Sequence, residues 1–246
     1  MSIQNIAVVT GGNKGIGFAI VKELCEKFDG IVYLTARDES RGKTAVQELN
    51  KHGLNPAFHV LDIDYEESIK KFKDYIVEKH GALRPGARVV NLSSVCGHLS
   101  KINGKEPYAT KIRGRFSNPD LTEKELCQLM EEFVKAAKDG DHYAMGWPNS
   151  AYVVSKVGVS ALTRIQQRAF DADTSRPGIV VNAVHPGYVD TDMTSHKGPL
   201  TTEEGAVAPT YLALLPSNND VPKGAFVWKD KTVVSWKKDL PSGYTF

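Results

Sequence analysis

The sequence predicts a single α/β domain built on a doubly wound, mostly parallel sheet. Three observations carry that prediction. β-branched runs alternate with segments of helical periodicity along the chain. A glycine-rich turn joins the first such run to the first helix. The length of 246 residues suits one large domain with a sizeable core.

The first strand is read at residues 6–10. Ile16, Ala19, Ile20, Leu24 and Phe28 then recur at helical spacing, so a helix follows over 15–28 and stops at Asp29-Gly30. Further strands are read at 31–36, 57–63, 87–92, 179–184 and 224–228. Further helices are read at 40–51, 65–79, 122–138, 151–171 and 202–214. Thr122 and Glu125 have the spacing of a capping box, and Leu126, Leu129, Met130, Phe133 and Val134 give that helix one apolar face. The stretch 95–149 is long for a connection and is expected to be an insertion rimming a functional site.

Two local patterns point to chemistry. Thr10-Gly11-Gly12-Asn13-Lys14-Gly15-Ile16-Gly17 turns a strand into a helix. Glycines there allow a tight turn and close backbone approach, and the helix N-terminus offers N–H groups to a pyrophosphate. The spacing departs from the common Gly-x-Gly-x-x-Gly fingerprint, and an ordinary strand–helix loop is the plain alternative. The second pattern is Tyr152-Val153-Val154-Ser155-Lys156, which places a phenol and an ammonium one helical turn apart on one face. A free tyrosine has a pKa of about 10, so a nearby cation is expected to lower it and fit it for proton transfer. A half-buried ring beside a solvated amine is the plain alternative. A third partner, a hydroxyl able to polarise a substrate oxygen, is available where the strand 87–92 runs into Ser93 and Ser94.

With these residues in view, the chain resembles the short-chain dehydrogenase/reductase family, and within it the carbonyl reductases that use NADPH. The likeness rests on 10–17, 34–38, 61–64, 89–94, 150–156 and 186–193, in order, and runs from about residue 5 to about residue 235. It implies one NADP-binding, Rossmann-like domain over 1–246, with about six strands where the family has seven. Tyr152 is then the general acid, Lys156 its pKa partner and ribose contact, and Ser94, in preference to Ser93, the carbonyl-polarising hydroxyl. The cofactor would be held by Gly11, Asn13, Lys14, Gly15, Ile16 and Gly17, by Asp62 and Ile63 at the adenine, and by Pro186, Gly187, Val189 and Thr191 at the nicotinamide. Arg37, with Lys14, would meet the 2′-phosphate of NADPH where NAD-preferring relatives carry an acid. Tyr188 and Met193 would line the substrate pocket together with Ser94. Trp147 is a weaker pocket candidate and His185 reads as a packed core histidine. The insertion implies a monomer.

One departure is large. The family has a fourth strand ending Asn-Asn-Ala-Gly and a helix after it. Here 65–80 runs through the six residues 81–86 straight into the strand 87–92, and Asn-Asn-Ala-Gly occurs nowhere. One strand–helix unit, on the order of 40 residues, is missing. A six-residue link can reach about 20 Å, against ~4.8 Å between neighbouring strands. The expectation is therefore that strand 87–92 takes the vacant place beside strand 6–10 and restores a continuous sheet. The resemblance thus implies reduction of quinones, aldehydes or ketones by NADPH. The alternative is a catalytically impaired nucleotide-binding variant of the splice-product type.

Composition excludes some classes. Net charge is +2 with acids and bases interspersed, which gives no nucleic-acid patch. Cys25, Cys96 and Cys127 form neither an even set nor a metal spacing, so reduced thiols in a cytoplasmic protein are expected, with no metal. No apolar run approaches the ~18 residues a membrane span needs.

Overall fold

A computed structural model describes residues 4–217, 221–238 and 240. The chain divides into two compact units: residues 1–84 with 188–214, and residues 85–187 with 215–246.

The first unit holds strands β1 (Ile6–Val9), β2 (Ile31–Ala36) and β3 (Ala57–Val60) and helices α1 (Gly15–Lys27), α2 (Glu39–Lys51) and α3 (Glu66–His80). Its last helix, named α7 by chain order, is Thr202–Ala213. The strands pair in parallel in the order β1-β2-β3. β2 is the central strand, and Val32 to Ala36 are all buried, as a parallel strand covered on both faces requires. α1 packs against α7, burying Val21 and Leu24 on one helix and Ala206, Ala208 and Leu212 on the other. Asp38 caps α2 by accepting from the Arg41 N–H at 2.8 Å, and Gly42 leaves room for the Phe58 ring of β3. α3 buries no residue fully, and Ile69 and Val77 are each 45 % exposed.

The second unit holds β4 (Arg88–Leu92), α4 (Tyr108–Phe116), α5 (Glu123–Asp139), α6 (Ala151–Ala172), β5 (Val180–Val184), β6 (Phe226–Val227) and β7 (Val233–Val234). Its sheet runs β4-β5-β6-β7, parallel except for the final β6–β7 pair. The Thr122–Glu125 capping box opens α5, and Gly140, at a φ of 79°, closes it. Phe116, Leu129, Phe133, Trp147, Val154 and Val157 share one apolar core with residues of β5, β6 and β7.

One expectation is corrected. β4 does not take a place beside β1: among the described residues, β1 pairs only with β2 and β4 only with β5. All five residues of β4 pair with β5, and the Arg88 guanidinium donates to carbonyls at both Gly178 and Leu215. The Asn91 amide also reaches Thr163 and Gln166 of α6, each at 2.9 Å. The stretch 95–149 is largely helical and supplies core. Trp147 is 2 % exposed and stands edge-on to Phe116 with ring centroids 6.1 Å apart, so it is a packing residue.

Candidate active site

In the second unit, three of the residues singled out from sequence come together. Ser150 caps α6 by accepting from the Val153 N–H, which sets Tyr152 and Lys156 one turn apart at the start of the helix. The Lys156 ammonium lies 5.7 Å from the Tyr152 ring centroid and donates to the Leu92 carbonyl of β4 at 2.9 Å. Ser94 follows β4, accepts from the Cys96 N–H at 3.2 Å and acts on the phenol of Tyr152 in the direction of a lower pKa. Ser93 is engaged elsewhere: its hydroxyl donates to the Lys156 carbonyl at 3.1 Å and lies 2.8 Å from the Ser160 hydroxyl. Of the two serines, only Ser94 addresses the tyrosine.

The electrostatics differ from the expectation in one respect. Burial pushes the Tyr152 phenol above its ordinary range, Ser94 offsets part of this, and Cys96 adds to it. Lys156, also buried, is pushed down. The ammonium lies against the Tyr152 ring and also donates to a backbone carbonyl, while burial sets the direction of the Tyr152 shift. Tyr152 remains 44 % exposed, open to a substrate. His185 packs on Trp228 with ring centroids 4.4 Å apart. Burial, then the charge of Lys229, push it down to about 4, which makes it a neutral core residue. Pro186 is buried, and Gly187 adopts a φ of 98° that favours glycine.

The first unit gathers most of the other candidates. Gly11 and Gly15 have φ of 65° and 56°, and a side chain on Gly17 would collide with the Gly11 carbonyl, so the turn depends on its glycines. No side chain caps α1 and no acid stands in its first turn, so the N–H groups at Gly15, Ile16 and Gly17 face outward for an anion. Residues 188–200 return to this turn. A Cβ on Gly15 would sit 3.4 Å from the Thr191 methyl, and one on Gly205 would meet both Val189 and Ile16. Thr191 and Thr194 form a capping box that shapes this segment. Lys14, with its neighbour Asn13, stands on the turn and pairs with Asp192 at 2.5 Å. That ion pair holds the Asp192 carboxyl below its usual range. His196 stands 2.6 Å from Asp190 and 3.3 Å from Asp192, and Asp190 raises its pKa. The tie of Lys14 to Asp192, 178 positions away, left no signal in the sequence.

Arg37 is exposed just past β2. Its neighbour Asp38 is spent on the α2 cap. Asp62 and Ile63 follow β3; the Asp62 carboxylate accepts from the Asp64 N–H at 3.1 Å, and Ile63 is 63 % exposed. Tyr188 and Met193 are 38 % and 78 % exposed. The cofactor fit therefore has three supports within this unit: an uncapped helix N-terminus, a turn only glycine can make, and an exposed cation after β2.

Comparison with known proteins agrees with this chemistry. A family model described as short chain dehydrogenase matches residues 5–85, ending at the link that leads into β4. Carbonyl reductase (NADPH) 3 of Mus musculus is 40 % identical over 280 residues, covering 96 % of this chain and 99 % of the relative. Carbonyl reductase (NADPH) 1 of Homo sapiens is 38 % identical over 277 residues, covering 94 % and 98 %. Salutaridine reductase from Papaver somniferum has a TM-score of 0.78 at 26 % identity, covering 91 % of this chain and 99 % of that one. The 280 aligned positions of the mouse relative exceed the 236 or so that 96 % of 246 residues can fill, leaving about 44 without a residue of this chain. That shortfall is of the order of one strand–helix unit. The chain belongs to the short-chain dehydrogenase/reductase family.

Proposed function

We propose that this chain reduces carbonyl compounds (quinones, aldehydes or ketones) with NADPH, Tyr152 acting as the general acid. The observation that carries the proposal is the grouping of Ser94, Tyr152 and Lys156 within one unit, in a chain about 40 % identical to NADPH carbonyl reductases. When bound, the nicotinamide supplies the hydride. The chain's own residues do the rest. The Ser94 hydroxyl donates to the substrate oxygen and draws charge toward it. The phenol of Tyr152, protonated near neutrality, gives its proton to that oxygen as negative charge develops. Lys156 supplies a fixed positive charge beside the ring and a ribose contact. The glycine turn and the α1 N-terminus hold the pyrophosphate, Val189 and Thr191 with Pro186 and Gly187 orient the nicotinamide, Asp62 and Ile63 contact the adenine, and Tyr188 and Met193 flank the substrate.

The test is NADPH oxidation by the purified chain with an ortho-quinone. Saturable turnover, one NADPH per quinone, supports the proposal. Cofactor binding without turnover favours the second reading, an impaired nucleotide-binding variant, for which the separation of β1 and β4 into two sheets is the supporting observation.

Two expectations follow for the cofactor and for pH. Replacing Arg37 by Ala should cut the preference for NADPH over NADH by about 10-fold, since a charge-assisted bond to the 2′-phosphate contributes roughly 1.5–3 kcal/mol. Because Arg37 is exposed, raising the salt should shrink the difference. Paired dissociation constants for the two cofactors check this. For pH, both active forms, phenol and ammonium, are the protonated ones, so activity persists at low pH and is lost as pH rises. The lowered pKa of Lys156 contributes to this alkaline loss. A kcat/KM profile between about pH 6 and pH 10 should show an alkaline limb only, and Lys156→Arg should move that limb upward. A limb near the ordinary histidine value would point to a different acid.

A further inference from the structure

We infer that the second unit carries a binding site for a compact tetrahedral oxyanion of the phosphate or sulfate type, on the C-terminal half of α6. A hollow of about 160 Å³ lies there, lined by Phe116, Asn118, Leu121, Arg164, Ile165 and Arg168 among others. Arg164 stands 12 positions beyond Tyr152 on the same helix, about 18 Å away along the axis, so this hollow is separate from the catalytic group.

The charges around it do not balance. Arg164 and Arg168 are one turn apart and face the same hollow, an arrangement that costs a helix stability because like charges repel at that spacing. Arg168 is braced against the segment between α4 and α5, donating to the carbonyls of Pro119 and Leu121. Lys237 joins the same segment through the Ser117 carbonyl at 2.7 Å. These are neutral acceptors, so both cations keep their charge. Arg164 has no acceptor among the described residues; its guanidinium lies over the Trp236 ring, 5.7 Å from the centroid. The nearby carboxylates are fewer than the cations, and of them Glu125 acts on Arg168 rather than on Arg164 or Lys237. Glu125 accepts from the N–H and hydroxyl of Thr122 in the capping box, and Asp171 accepts from the Gln167 amide. Burial and the neighbouring Arg168 both press on the charge of Arg164, as burial and Arg164 press on Lys237. An anion relieves all of these repulsions at once.

The size and donor set name the ligand class. The hollow, about 160 Å³, has room for a small anion such as phosphate. Arg164 offers a free planar fork matched to two oxygens of a tetrahedral anion. Asn118 accepts the Asp120 N–H on its carbonyl oxygen, leaving its amide nitrogen as a further donor.

The experiment is calorimetric and thermal titration of the full chain with inorganic phosphate, at constant ionic strength balanced with chloride. It uses a Lys14→Ala, Arg37→Ala background, which silences the cations near the glycine turn whatever their cofactor role. One saturable site of millimolar order is expected, with a rise in melting temperature as phosphate is added. Arg164→Met should weaken binding at least about 10-fold and abolish the phosphate-dependent rise. In phosphate-free buffer that variant should melt no lower than its parent, because it removes a repulsion. Arg164→Lys, which keeps the charge but loses the fork, should fall between the two. Equal phosphate binding by parent and Arg164→Met, or no saturable binding up to about 50 mM, would overturn the inference.

Discussion

Replacing Tyr152 by Phe should lower kcat for carbonyl reduction by about 100- to 10,000-fold, with little change in NADPH affinity. The phenol is the group placed to deliver a proton: it is 44 % exposed and lies near enough to Ser94 to feel its hydroxyl. The ring itself stays in the variant, so packing at the start of α6 is preserved and the loss reports proton transfer. Ser94→Ala should act on the same step by removing the donor that polarises the substrate oxygen, and a double variant should lose less than the product of the two single losses. Comparable rates for Tyr152→Phe and the parent enzyme would remove the tyrosine from the mechanism.

The second large effect is on stability. Trp147→Ala should destabilise the protein by about 3–5 kcal/mol, the range for emptying a buried aromatic site. Trp147 is 2 % exposed and fits between Phe116 of α4 and Phe133 of α5, with ring centroids 6.1 and 5.5 Å away. Neither neighbour can fill the space without leaving the helix it anchors. Denaturant unfolding measures the loss. A change below about 1 kcal/mol would mean that 95–149 contributes little to the core of its unit.

These two residues also mark what the sequence disclosed and what it did not. Tyr152 and Lys156 were legible because their relation is set by four positions on one helix. The glycine turn at 10–17 was legible because strand, turn and helix are contiguous. The α5 capping box appeared where its spacing placed it. Trp147 was harder, since its partners lie on two helices and nothing within a few residues announces them. Lys156 shows the same limit within the site. Its spacing from Tyr152 is local, but its hydrogen-bond partner is the Leu92 carbonyl, 64 positions away, and that contact decides where the ammonium points.

The missing strand–helix unit is the sharpest case. Loop length showed that β4 could reach a place beside β1, and reach is a local property. Reach alone does not set the pairing: the described strands form two sheets, with β4 paired to β5. Only the structure makes that pairing visible. Ser94, at the end of β4, stays next to Tyr152 in spite of the lost segment.

The most direct measurement is transfer of deuterium from NADPH labelled at the nicotinamide C4 to an aromatic aldehyde in a single turnover. The reductase reading predicts one deuterium on the carbinol carbon of the alcohol for each NADPH oxidised, and no transfer above background in Tyr152→Phe. NADPH that binds but stays reduced, or is oxidised without label appearing in the alcohol, would contradict it.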